Sequence, residues 1–124
     1  VFEHVAQPFQ AASSLLHLLR PSGHLLWTAP FAEIFHAIPG DFLRYTCPGA
    51  INIFKSAGFE VTRVQKIGDT MVTSGWLMGF GASDFPPSRM RHILNNHTDD
   101  RELDADLQHS LYIGCALVLR RPAA

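Results

Sequence analysis

The stretch that most constrains the fold is residues 15–31, LLHLLRPSGHLLWTAPF. An apolar run at helical spacing reaches Arg20, and Pro21-Ser22-Gly23 interrupts it. Proline lacks a backbone donor and clashes with the turn before it, so a helix does not easily continue past Pro21. The following run, Leu25-Leu26-Trp27, is too short and too β-favouring for a second helix. It reads as a strand over residues 24–29. Its apolar residues follow one another without alternation, which predicts cover on both faces. Helix, tight turn and strand make half of an α/β unit, and the rest of the chain is read around it.

Upstream, residues 1–5 read as the end of a strand entering a loop. Pro8 suits the first turn of a helix, where its missing N–H costs nothing. Phe9, Ala12, Leu15, Leu16 and Leu19 then fall on one face, with Leu18 widening it, and Arg20 closes the helix where its dipole favours a cation. Downstream, residues 30–46 form a long connection dense in His, Asp, Arg and Tyr, the kind of loop that is commonly functional or partly structured. Thr46 is a plausible N-cap with Pro48 in the first turn, and Ala50, Ile51, Phe54 and Ala57 keep helical spacing. Gly58 is placed to end that helix in the left-handed conformation. Residues 59–67 read as a second strand, with spacing irregular enough for a bulge.

Residues 68–85 fit no period and read as an apolar lid or a partly helical segment. Trp76, Met78, Phe80 and Phe85 there suit either the floor of an apolar pocket or ordinary core. After Pro86-Pro87, residues 88–95 allow a short helix, and polar residues 98–109 allow a weak exposed one. Residues 111–119, LYIGCALVL, form a continuous apolar run and predict a third strand buried on both faces.

At 124 residues the chain is long enough for one ordinary domain, and 47% hydrophobic with 17% charged residues argues for a packed core. A net charge of -1 without a Lys/Arg block excludes the electrostatic footprint of a nucleic-acid binder. No apolar run approaches the roughly 20 residues a membrane helix needs. The N-terminus lacks the basic start and apolar core of a signal peptide, so a cytoplasmic location is expected. The opening on Val1 is taken as the mark of a processed product, a trimmed chain or a fragment. Cys47 and Cys115 lie far apart and form no CxxC, and are expected to be reduced thiols in or near the core.

Taken in order, these elements carry a resemblance. VFEHV, the turn Leu19-Arg20-Pro21-Ser22-Gly23, the strand ending at Pro30, HAIPGDFLRYT over residues 36–46 and SAGFEV resemble the middle of a class I S-adenosylmethionine-dependent methyltransferase of the "type 11" branch. Ser22 stands where that family usually has glycine. The likeness covers residues 1–67, and residues 111–119 fit the family's last strand in type and place. Residues 68–110 match nothing and read as a variable insert.

The resemblance implies a single partial domain over residues 1–124: the C-terminal half of a Rossmann-like seven-stranded sheet. Residues 24–29, 59–67 and 111–119 would be strands five, six and seven, the last running antiparallel between the other two. The family's glycine-rich loop and ribose-binding acid would lie before Val1. Gly79-Phe80-Gly81 has the letters of such a loop but not the strand-to-helix setting. The cofactor would be S-adenosyl-L-methionine in the complete domain, with this chain alone inactive and a small molecule of unspecified identity as the methyl acceptor.

Ligands bind beyond the carboxyl ends of strands in open α/β sheets, and this places the candidate site. Glu3 and His4 would sit at the end of strand four, on the cofactor side. His4 either lines the methyl-transfer pocket or shapes the helix entry. His36 in the next loop would contact the acceptor or act as general base, because histidine titrates near neutrality. His4 and His36 are thus the catalytic candidates. Asp41, Arg44 and Tyr45 would bind substrate, or else Asp41 and Arg44 pair to hold the loop over a packed Tyr45. No metal site is expected: His92 and His97 are five apart, off the one-face spacing of a zinc helix, and no cysteine accompanies them. A zinc hydrolase would need tightly held metal. The alternative in a different class is a non-catalytic interaction module that reuses half the fold and self-associates through an uncovered sheet edge.

Overall fold

The computed structural model describes residues 1–36, 40–90, 94–97, 108 and 110–124. The fold is α/β. A 3-10 turn at Phe2–His4 precedes helix α1 (Pro8–Leu18), strand β1 (His24–Pro30), helix α2 (Cys47–Ser56) and strand β2 (Glu60–Ile67). Helix α3 (Thr70–Leu77), a 3-10 turn at Ala82–Asp84, helix α4 (Pro87–Met90), strand β3 (Leu94–His97) and strand β4 (Gly114–Arg120) complete the order.

Local chemistry accounts for these boundaries. Pro8 opens α1, and the turn after it holds Ser22 at a φ of 61°, the left-handed region that glycine enters more cheaply. Thr46 caps α2 by accepting from the Gly49 N–H at 3.1 Å, and Gly58 ends it with a φ of 99°. Asp69 caps α3 in the same way, accepting from the Val72 N–H at 2.9 Å.

The strands order as β1-β4-β2-β3, and each neighbouring pair is antiparallel. The last strand therefore lies between β1 and β2, which run in the same direction, and this is the placement expected of residues 111–119. No adjacent strands run parallel among the described residues, so the larger parallel sheet implied by the resemblance is not among them. The irregular spacing in residues 59–67 is a bulge: the register with β4 shifts between Val61 and Arg63.

Helices α1 and α2 pack on one face of the sheet. Trp27, Ala29, Val64, Cys115, Leu117 and Leu119 point to that face and join Phe54, Ala50, Cys47, Ala12 and Phe2 in the core. Trp27 is ringed at its centre, with centroids 5.7 Å from Phe2, 5.4 Å from Tyr45 and 5.5 Å from Phe54.

Several expectations are corrected. The apolar run in β1 is covered on one face only: Trp27 is 4% exposed and its neighbour Leu26 72%. Period two sends adjacent side chains to opposite faces, and at this edge strand only the Trp27 face meets the core under α1 and α2, whereas the central strand β4 is buried on both faces over Gly114–Leu117 as expected. Within residues 1–5, Phe2–His4 form a 3-10 turn rather than a strand end. Phe9 and Leu18 of α1 are exposed, as are Trp76, Met78 and Phe80, which are neither core nor an enclosed pocket floor. Of the helix allowed over residues 88–95, the described part to Met90 is helical, residues 91–93 lie outside the described residues, and Leu94–His97 joins the sheet instead. The cysteines are not separate thiols: Cys47, the first residue of α2, is disulfide-bonded to Cys115 of β4, with Cα atoms 5.4 Å apart. The helix allowed over residues 98–109 falls almost wholly outside the described residues. No helix among them is long and apolar enough to cross a membrane.

Candidate functional site

The site is assembled where the turn Phe2–His4 meets the loop that leaves β1. Phe2 anchors the turn in the aromatic core, and the buried Tyr45 hydroxyl donates to the Phe2 carbonyl at 3.2 Å. The loop is stitched across the turn by backbone bonds. Phe42 and Leu43 N–H groups donate to the Glu3 carbonyl at 3.0 and 3.3 Å, and Tyr45 N–H donates to the Pro30 carbonyl at 2.9 Å. Sequence neighbours Glu3 and His4 are thereby brought against His36.

The three side chains converge. Glu3 Oε1 lies 3.4 Å from His4 Nε2 and 3.4 Å from His36 Nε2. The two imidazoles meet edge to face with centroids 4.9 Å apart. Glu3 is buried, while His4 and His36 keep 19% and 39% side-chain exposure. Glu3 Oε2 accepts from the Val1 amino group at 2.7 Å. His4 Nδ1 bonds the Gly40 carbonyl, and His36 Nδ1 bonds the Ile34 carbonyl at 3.0 Å. A carbonyl only accepts, so each ring carries its proton on Nδ1.

Asp41 and Arg44 support His36 from behind. The guanidinium forks onto the Asp41 carboxylate, with Nη2 donating to Oδ2 at 2.7 Å and Nη1 donating to Oδ1. Arg44 Nη2 also donates to the Ile34 carbonyl at 2.9 Å, and Asp41 Oδ2 accepts the His36 N–H at 2.9 Å. The polar atoms of Asp41 and Arg44 are thus used inside the loop, and Tyr45 lies beneath it at 4% exposure.

Electrostatics follow from these contacts. Arg44, with the His36 N–H second, holds the Asp41 carboxyl well below the ordinary carboxylate range. Asp41 in turn raises Arg44. His36 is raised, first by its bond to the Ile34 carbonyl and then by Glu3 and Asp41. Burial opposes ionisation of Glu3, but the Val1 amino group, its own backbone N–H and His36 outweigh it, and its pKa is lowered. Burial, with the Glu3 charge second, pushes Tyr45 up to about 12.

Glu3 also borders a cavity of about 220 Å³, lined further by Thr28, Pro30, Ile67 and Ile113 at the carboxyl ends of β1 and β2. The cluster therefore offers a carboxylate that borders a small cavity and two imidazoles converging on that carboxylate, a set able to move protons or to bind a cation. Sequence reasoning selected the side chains but not their anchors. The carbonyls of Gly40 and Ile34 orient both rings, and no residue-type signal marks a backbone carbonyl. Compared with protein-family models, with curated proteins and with solved structures, the chain matches none.

Proposed function

We propose that the chain is the carboxyl flank of a Rossmann-like S-adenosylmethionine-dependent methyltransferase domain. In this reading β1, β2 and β4 are its strands five, six and seven. The observation that carries it is the placement of the last strand, antiparallel between two strands of common direction. One further feature agrees: Glu3, His4 and His36 meet beyond the carboxyl end of β1.

The described residues do not fit the cofactor itself. Gly79-Phe80-Gly81 follows α3 and enters a 3-10 turn, so no glycine-rich turn among them joins a strand to a helix. The chain is accordingly assigned the acceptor side. His4 and His36 would orient a small-molecule acceptor, and His36 could take up its proton. Calorimetry with S-adenosylmethionine tests the assignment. No binding is expected for residues 1–124, and saturable binding once the reading frame upstream of Val1 is restored. Micromolar binding by the 124-residue chain, or none by the extended one, refutes it.

A second reading rests on a separate observation. Among the described residues no strand pairs with the outer edge of β1, and Leu26 beside it is 72% exposed. An open apolar edge invites pairing with another chain, as in a non-catalytic interaction module. Size-exclusion chromatography decides: a stable monomer across concentrations counts against it.

A further inference from the structure

We propose that Glu3, His4 and His36 form a binding site for one divalent transition-metal ion of the zinc type. This inference does not rest on the methyl-transfer reading. One ligand atom from each of the three residues lies within 4.8 Å of the others. Glu3 Oε1 is 3.4 Å from both Nε2 atoms. Zinc bonds of about 2.0–2.2 Å in a tetrahedral site put neighbouring ligand atoms about 3.4 Å apart. The observed separations therefore match a coordination shell without rearrangement of those pairs.

Hydrogen-bond accounting points the same way. Each imidazole spends its Nδ1 proton on a backbone carbonyl, of Gly40 for His4 and of Ile34 for His36. Both Nε2 atoms are thus turned toward Glu3 Oε1, where His36 Nε2 is within hydrogen-bonding distance at 3.4 Å, and a bound metal ion would take the place of the proton in that contact. A metal-binding histidine is commonly fixed by such a bond from its other nitrogen. His36 has additional support, since Asp41 accepts its backbone N–H at 2.9 Å and lies 3.7 Å from its Nδ1. The nearby cations do not occupy the position: Arg44 is forked onto Asp41, and the Val1 amino group sits on the other oxygen of Glu3.

Two imidazoles and one carboxylate suit zinc, cobalt or ferrous iron better than magnesium or calcium, which prefer all-oxygen shells. Three protein ligands leave a fourth position open for water. Neither cysteine supplies a competing thiolate, because both are in the disulfide. Spacing alone does not reveal this set, since two ligands are adjacent and the third lies in a different loop.

The test uses the intact chain freed of metal by chelation. Zinc titration by calorimetry and cobalt(II) titration by visible absorption should each give one equivalent, unaffected by excess magnesium. Glu3→Gln, His4→Ala and His36→Ala should each weaken binding by more than ~10-fold, the scale seen when metal-site partners are lost. His17→Ala, on the exposed face of α1, should leave it unchanged. Circular dichroism checks folding, and His36→Ala on the accessible loop decides if Glu3→Gln fails to fold. Weak binding of several ions, or one tight ion indifferent to His36→Ala, overturns the proposal.

Discussion

Leu26→Ala and Leu117→Ala remove the same three carbons from neighbouring strands, and the structure predicts very different costs. Leu117 is 0% exposed and sits opposite both Trp27 of β1 and Val64 of β2. Its truncation loses about 2.4 kcal/mol of transfer free energy at ~0.8 kcal/mol per methylene. A cavity term adds to this, for a total of about 3–5 kcal/mol. Leu26 is 72% exposed, so roughly a quarter of the transfer term applies, about 0.6 kcal/mol, with no enclosed cavity. Urea unfolding followed by far-ultraviolet circular dichroism reads the difference. With a slope of ~2 kcal/mol/M, Leu117→Ala should lower the midpoint by ~1.5–2.5 M and Leu26→Ala by ~0.3 M. A loss above ~2 kcal/mol for Leu26→Ala would show that the second sheet face is covered and the reasoning is wrong. Such a loss appearing only at high protein concentration would instead identify self-association as the cover.

Three further outcomes are expected. The Cys47–Cys115 bond spans a sequence separation of 68, for which loop-closure entropy corresponds to ~4 kcal/mol; a thiol reductant should lower the urea midpoint accordingly, and an unchanged midpoint would show the thiols were never joined. Asp41 is held below its ordinary value of 3.8, so the stability it contributes is complete above that value and is lost as pH falls through the depressed folded value. Arg44→Gln should therefore move the Asp41 titration upward in carboxyl-detected NMR and bring acid unfolding to higher pH, and a curve that does not move refutes the fork. Gly114 faces the Ala29 carbonyl, where an added Cβ would meet the oxygen at 2.7 Å; Gly114→Val should cost ~1–3 kcal/mol and speed amide exchange along the β1–β4 ladder, and unchanged exchange would show that this contact is looser than described.

The legible features share a cause: their chemistry is local. Thr46 caps α2 because its hydroxyl reaches an N–H three residues on, and Gly58 ends it because its own φ is positive. The three strands and the bulge near Thr62 follow from runs of β-favouring residues and a break in their period. Strand β3 left no comparable signal, since LNNH is mostly polar and is recruited by pairing with β2. The candidate site was half legible. Glu3, His4, His36 and Asp41 could be selected by residue type and loop position, and the pairing of Arg44 with Asp41 over a packed Tyr45 was one of the two readings the loop allowed, but the common focus on Glu3 Oε1 could not be read from sequence.

Sequence by itself therefore determined the α/β class, the helix limits around Pro8, Thr46 and Gly58, and a pool of titratable residues after β1. Tertiary structure alone decided that Leu26 faces outward, that Cys47 meets Cys115, and that two histidines share one carboxylate oxygen. The physical reason is range. Caps, turns and periodicity act within a few residues, whereas burial and side-chain convergence depend on which segments pack together. That choice is made by the helix-covered face of the sheet and by the backbone bonds that draw the loop across Glu3.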